Sequence, residues 1–362
     1  MPPRTRSRKG RDHFRRPLPD YPTPLAAWIL AHPGTPHDLS LSGMLGALES
    51  TREILGQPPQ EGDPERLRAL LAGQLGVDPS RLYLTHGAHE GNALVMLHLR
   101  RKVGVRRRGA GPTVCLPRAE YDQLRLAAAW TGFSEKGRPG AYDLRACSNP
   151  SNPLGVNLPR EELEGSGDTG TSLLVDETFR EFSDRPSLAQ ERRPRLWVTG
   201  TFTKAYGADA IRIGWVVTPP GEAVAFASAH GLLLDRPAGA SVGWAISLLE
   251  QRDRVLSEAR GIFRRNEKVL REEFPDLPEL SAPVAFDRLP RGVDTRRLAE
   301  KAVLQGVLVC PGGYFGDPSG IRLCLTRRSF PEDLRAYLEV RERLVPAPGR
   351  SRDTPGSHRK LS

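Results

Sequence analysis

Lys204 stands in the segment TFTKAYG, with Thr201 and Thr203 just before it and Arg212 eight residues after it. Asp176 closes the apolar run TSLLVD, Asn149 and Asn152 each precede a proline in SNPSNPLG, and Tyr121 follows the run TVCLP. A short turn, His86-Gly87-Ala88-His89, follows RLYLT. An amine, a carboxylate, hydroxyls and amides therefore gather where apolar runs end. In open parallel sheets ligands bind beyond the carboxyl ends of the strands, so these residues point to the binding of a small polar ligand. Singly, each has a plainer role: Gly87 permits a turn, the asparagines shape a loop, and Asp176 solvates a strand end. Cys115, Cys147, Cys310 and Cys324 form no CxxC pair and have no histidine at metal-ligand spacing, so redox and zinc chemistry lose support. They read as buried small hydrophobes in a reducing compartment.

The elements that must hold these ends in place alternate between strand and helix. Leu67, Leu70, Leu71 and Leu75 recur at helical spacing behind Asp63, a good N-cap, and Pro64, a good first helical residue. A strand over 81–84, a turn and a helix from near His89 come next. TVCLP then reads as a strand, YDQLRLAAAW as a helix ending near Gly132, and DLRACS, TSLLVDET, RLWVTGT and IRIGWVVTP as further strands. Strands alternating with helices imply a mostly parallel sheet covered on both faces, whose strands read as continuous apolar runs. Residues 236–274 carry one long helical pattern from near Pro237, which links to a smaller unit: PVAFDRLP, a helix over Thr295–Gln305, GVLVCPGG, GIRLCLT and a closing helix, PEDLRAYLEVRERL.

With 362 residues, 38% hydrophobic and 27% charged, the composition fits an ordered chain rather than a disordered one. Its most apolar stretches, LLAGQL and VGWAISLL, stop well short of the roughly 20 residues a bilayer span needs. The formal net charge of +10 suggests nucleic acid until it is located: nearly all of it lies in residues 1–16 and 346–362, leaving the body close to neutral. These ends read as solvated, disordered basic tails with weak, salt-sensitive attraction to polyanions and no specific nucleic-acid site. The N-terminus lacks the apolar run of a secretory signal, so a cytoplasmic location is expected.

The order and spacing of the polar residues carry more than any one of them. SNPSNPLG looks like the NPxNPTG loop, LLVDETF like the DExY strand end, and TFTKAYGADAIRIGW like the SxSKxxxxxGxRxGW signature of fold type I pyridoxal-phosphate enzymes. The chain resembles their aspartate aminotransferase-like, class I/II aminotransferase group from about Leu39 to Leu344. Its short length and TFTKAYG segment bring it near the histidinol-phosphate aminotransferase and threonine-phosphate decarboxylase branch. The resemblance implies an α/β fold with a large, mostly parallel sheet covered by helices and a small C-terminal α/β domain. The expected division is an N-terminal arm at 17–60, a large cofactor-binding domain at 61–245, and a linking helix with the small domain at 246–345.

The same resemblance implies pyridoxal 5'-phosphate as cofactor. Lys204 would form the Schiff base and move the proton between the substrate α-carbon and the cofactor, and Asp176 would keep the pyridine nitrogen protonated. Asn152 would bond the ring oxygen and lie near the substrate, and Tyr121 would lie against the ring face. Ala88 and His89, with Thr201, Thr203 and Arg212, would hold the phosphate, for which a turn entering a helix supplies free N–H groups. Arg322, in GIRLCLT, would grip the substrate carboxylate through its planar fork. No metal is implied. The expected activity is transfer of an amino group from an amino acid to a 2-oxo acid in a homodimer; decarboxylation or elimination on the same cofactor is the alternative.

Two departures from the pattern stand out. Phe179 occupies the place of a tyrosine that donates to the ring oxygen, so the Schiff base should protonate more easily. The arm stretch ILGQPPQEG has no tyrosine to reach a partner subunit's phosphate, and Gln57 lies near the expected place.

Overall fold

The computed structural model describes residues 23–106, 111–136, 142–164 and 170–345; the two basic tails expected from the sequence lie outside the described residues. The strands, in chain order, are β1 (His37–Asp38), β2 (Leu82–Thr85), β3 (Thr113–Cys115), β4 (Ser134–Glu135), β5 (Leu144–Ser148), β6 (Ser172–Asp176), β7 (Leu196–Thr201), β8 (Gly214–Val217), β9 (Val284–Arg288), β10 (Val307–Leu308), β11 (Cys310–Pro311) and β12 (Gly320–Cys324). Seven of them form one sheet in the order β2-β8-β7-β6-β5-β3-β4. Only β8 runs against the rest, pairing antiparallel with both β2 and β7. All the other neighbours are parallel.

Alternating residues of these strands feed two cores. Leu144, Ala146, Leu174, Trp197 and Val216 pack on one face beneath the helices Ala88–Arg106 and Asp122–Trp130. Cys147, Leu173, Val175, Val198 and Val217 pack on the other with Leu67, Leu71, Val242 and Ile246 of the helices Pro64–Leu75 and Gly239–Glu250. Because both faces are covered, the strands carry no polar alternation, which is why they read as apolar runs. The helix at Pro64 starts as its sequence predicts: Asp63 accepts from the Glu65 N–H and Pro64 takes the first turn.

A three-stranded antiparallel sheet, β11-β12-β9, and the helices Thr295–Val303 and Phe330–Leu344 build the C-terminal unit. The N-terminal arm is tied to it. β1 pairs in parallel with β10, and Leu25 of the helix Pro24–Leu30 packs against Cys310 and Phe315.

Three sequence expectations change. The pattern over 236–274 is two helices, Gly239–Glu250 and Arg252–Glu273, broken at Gln251, so the first packs on the large sheet while the second runs on toward the small unit. A helix at Ala223–Leu233, which the sequence reading passed over, follows β8; its residues are apolar nearly all round, so no face periodicity marks it. The short edge strand β4 was also missed, being two exposed polar residues. No helix among the described residues is long and apolar enough to cross a membrane.

Candidate active site

β2, β3, β5, β6 and β7 all point the same way, and the expected site residues lie at or just beyond their carboxyl ends. The register aligns Ser148 with Asp176 and Asp176 with Thr199, so the SNPSNPLG loop and the segment leading to Lys204 leave the sheet on either side of the carboxylate.

Asp176 is buried, with 4% of its surface exposed. Its Oδ2 accepts from Asn92 Nδ2 at 2.7 Å and its Oδ1 from the Thr178 N–H at 2.9 Å. Asn92 Oδ1 in turn accepts from the Thr199 hydroxyl at 2.7 Å, which fixes the amide and so the carboxylate. Sequence reasoning missed Asn92. It lies one helical turn beyond Ala88 on the same helix face, and a polar residue at that spacing was the available signal.

The turn before the helix Ala88–Arg106 depends on Gly87, whose φ of +111° disfavours any side chain. A Cβ there would also meet Arg212 Nη2 at 3.1 Å. Arg212 itself adopts a left-handed backbone, donates from Nη1 to Asp209 at 2.6 Å and from Nη2 to the His86 carbonyl at 3.2 Å. A guanidinium, free helix-start amides at Ala88 and His89, and the Thr201 and Thr203 hydroxyls, 3.0 Å apart, thus come together at one place. His89 keeps exposed surface at the start of the helix. Burial, with the charges of Lys204 and Arg212 behind it, pulls its pKa down to about 3, so the ring is neutral. It faces the Tyr121 ring at 5.5 Å between centroids, tilted by 33°.

Lys204 Nζ bonds Ser42 Oγ at 3.1 Å, a contact with the arm that no sequence signal announced. The Lys204 carbonyl also accepts from the Met44 N–H at 3.0 Å, so the arm lies directly on the lysine loop. Burial first, then the Arg322 charge, pulls the lysine below its ordinary pKa of 10.5. A linkage effect follows. Between the lowered folded value and 10.5 the unfolded chain holds a proton that the folded chain has released, so the cofactor-free protein gains stability as pH rises through that window. Melting temperatures measured from neutral to alkaline pH should climb less in Lys204→Met than in the parent; equal slopes would contradict a perturbed lysine.

Arg322, on β12, is 1% exposed. Nη1 donates to Asn152 Oδ1 at 3.2 Å and Nη2 to the Ser40 carbonyl at 2.6 Å, while the guanidinium lies 4.8 Å from the Phe315 ring centre. Its Nε is buried with no hydrogen-bond partner among the described residues. Asn152 belongs to a loop whose Asn149-Pro150 and Asn152-Pro153 bonds are both cis. Next to these groups Glu120 is fully buried, and burial, opposed by hydrogen bonds from Ser148 and Tyr121, pushes its carboxyl up to about 8. Phe179, 2% exposed, packs beside Phe182 and offers no hydrogen-bond donor at the strand end.

The contacts above link His89 to Tyr121, Arg322 to Asn152, Thr201 to Thr203 and Arg212 to the turn before Ala88, with Asp176 and Lys204 at or just beyond the strand ends between them. Ser42, Asn92, Glu120 and Ser148 join them from outside the sequence reading.

The same fold occurs in a PLP-dependent aminotransferase from Streptococcus suis 89-1591, with a TM-score of 0.72 and 19% identity, covering 89% of this chain and 98% of that one. Among curated proteins, capreomycidine synthase of Streptomyces vinaceus is 30% identical over 353 residues, 86% of this chain and 87% of its own. Histidinol-phosphate aminotransferase of Haloferax volcanii is 32% identical over 184 residues, 49% of each chain. Fold and sequence together define a fold type I pyridoxal-phosphate-dependent enzyme. Residues 145–336 match the family Aminotransferase class I and II, and the chain belongs to it. Enzymes of this family work through a lysine Schiff base.

The residues present fit that cofactor. The glycine turn leaves room where a Cβ would press on Arg212, the Asp176 carboxyl is held in place by Asn92, and Lys204 has an amine inclined to lose its proton. When bound, pyridoxal phosphate supplies an aldehyde for an amine to condense with and a ring that draws electrons from the attached carbon.

Proposed function

We propose that this chain is a pyridoxal-phosphate-dependent aminotransferase that moves an amino group from an amino acid to a 2-oxo acid, using Lys204. The observation that carries the reading is the convergence of a deprotonation-prone lysine, a buried carboxylate and a buried arginine at one end of the parallel sheet. Lys204 would take and return the proton at the substrate α-carbon, for which its lowered pKa suits it. Asp176, held by Asn92, would pair with the ring nitrogen. Tyr121 would support the ring face, and Asn152 its oxygen. The Ala88 and His89 amides, Thr201, Thr203 and Arg212 would bind the phosphate. Arg322 would hold the substrate carboxylate, its unpartnered Nε adding a donor.

A second reading, decarboxylation or elimination on the same cofactor, draws on one observation: a relative matched over most of both chains is named a synthase rather than an aminotransferase. The test is an absorbance titration of the purified protein with single amino acids beside Lys204→Ala. A lysine-dependent visible band that one donor bleaches and a 2-oxo acid restores supports the aminotransferase. A lysine-dependent band that a donor bleaches with release of carbon dioxide or ammonia, and no 2-oxo acid restores, supports the second reading. No band in either protein rejects both.

We also propose that the arm at 17–60 and the domains at 61–245 and 246–345 work in a cytoplasmic homodimer. Four buried free cysteines are in keeping with a reducing compartment. The helix Ala223–Leu233 exposes Val224, Leu232 and Leu233, with Val224 at 85% and Leu232 at 81%. Only Phe226 of that helix is fully buried, and exposed apolar surface of this kind marks contact with another protein. The double variant Val224→Asp, Leu232→Asp should sediment as a monomer, about half the mass of the parent, at micromolar concentration. An unchanged mass would place the dimer contact elsewhere.

A further inference from the structure

Glu120 has no assigned contact with cofactor or substrate, yet it joins three residues that do: Tyr121, Asn152 and Arg322. Its Oε1 accepts from the Tyr121 N–H at 2.8 Å and from Ser148 Oγ at 2.5 Å, and its Oε2 accepts from the Ser148 N–H at 2.9 Å. Ser148 Oγ in turn accepts from the Asn152 N–H at 3.0 Å, and Asn152 Oδ1 receives Arg322 Nη1. On the main-chain side, the Glu120 N–H donates to the Phe315 carbonyl at 2.9 Å, and the Phe315 ring lies against the Arg322 guanidinium.

We propose that Glu120 is a positioning residue that fixes Tyr121, on the ring face, and the Asn152–Arg322 pair, at the substrate carboxylate, in one arrangement. This rests on the cofactor and carboxylate roles proposed above.

The physical case is the demand the geometry makes on one side chain. Each carboxyl oxygen faces a backbone N–H in a place with no exposed surface, Oε1 that of Tyr121 and Oε2 that of Ser148, and the Ser148 hydroxyl bonds Oε1 as well; charged or protonated, a carboxyl can accept at both oxygens, which an amide cannot. Such a group is costly to bury unless every contact is made, so the network has one arrangement rather than several. Two branches leave it. One runs through a single backbone bond to Tyr121; the other runs through Ser148 to Asn152 and Arg322. The hydroxyl of Ser148 belongs only to the second branch, which makes the branches separable by substitution. A glutamine at 120 keeps size and shape but turns one end into a donor, so it faces at least one N–H head-on and disturbs both.

The experiment compares holoenzymes carrying Glu120→Gln, Ser148→Ala and Arg322→Leu with the parent. The carboxylate grip is read as the inhibition constant for a series of unbranched monocarboxylates. Ring pose is read as the visible circular dichroism of the bound cofactor, and fold integrity as the melting temperature. Glu120→Gln should weaken the monocarboxylates about 10-fold and reduce the dichroism, whereas Ser148→Ala should weaken them similarly with the dichroism retained. Glu120→Gln that lowers only the melting temperature overturns the inference. If that variant does not fold, Ser148→Ala decides: unchanged inhibition overturns the inference, and weakened inhibition with dichroism intact supports it. Arg322→Leu separates the two levels. Unchanged inhibition there overturns the carboxylate reading and the inference with it, while weakening there but in neither of the other variants overturns the inference alone.

Discussion

Lys204→Ala is expected to fold, to keep the recess, and to lose turnover by about 10⁴-fold or more, because both covalent attachment and proton transfer at the substrate α-carbon disappear with one amine. The backbone of the loop does not depend on that amine. The Lys204 carbonyl holds the Met44 and Gly207 N–H groups, and these bonds survive in alanine. Among the described residues, the only side-chain bond lost is the one to Ser42. Removing a half-buried amine whose charge is disfavoured should also leave the cofactor-free protein no less stable. Single-turnover kinetics with the donor identified by titration provides the measurement. Residual turnover within about tenfold of the parent would mean that another base acts at the α-carbon, since proton transfer alone is worth about 10² to 10⁴.

Asp176→Asn is expected to lower kcat by about 10² to 10³-fold with a much smaller change in KM, the scale seen when one preorganised electrostatic partner is removed from a dry site. The substitution is nearly isosteric, but it removes a charge buried to 96% and the ability to accept at both oxygens. Asn92 Nδ2 and the Thr178 N–H now each donate to that carboxylate, and an amide satisfies only one of them. On the proposed roles, the electron-drawing power of the ring would fall because nothing would hold its nitrogen protonated, whereas the residues proposed to bind the phosphate and the substrate carboxylate would stay in place. Steady-state kcat and KM, with cofactor affinity measured in parallel, check this. A parent-like kcat would confine Asp176 to the structural network with Asn92 and Thr199.

Eight of the site residues were legible because each ends or follows an apolar run, and the order of strands along the chain already fixes which ends fall on the same side of a parallel sheet; Arg212 and Arg322, set in IRIGW and GIRLCLT, were legible only through the family resemblance. Their partners were not legible in that way. Ser42 is 162 residues from Lys204, Asn92 is 84 from Asp176 and Glu120 is 28 from Ser148. Nothing local distinguishes a serine in a proline- and glycine-rich arm, or an acid beside a tyrosine, from its solvated neighbours. The break at Gln251 is similar: no proline or glycine marks it, and the apolar spacing continues on both sides. The helix Ala223–Leu233 escaped for the opposite reason, being apolar on faces that this chain alone leaves uncovered.

The sequence by itself determined the alternation of strands and helices, the covered sheet and the glycine turn, because these follow from periodicity and turn chemistry, and its motifs, through the family resemblance they carry, pointed to the lysine, carboxylate and arginine. The tertiary structure alone decided that the arm lies on the Lys204 loop and pairs with β10, that Asn92 fixes Asp176, and that a buried Glu120 joins Tyr121 to the Asn152–Arg322 pair. Those contacts depend on burial, which raises the energetic cost of an unpaired polar group and so selects partners by position in space rather than by distance along the chain.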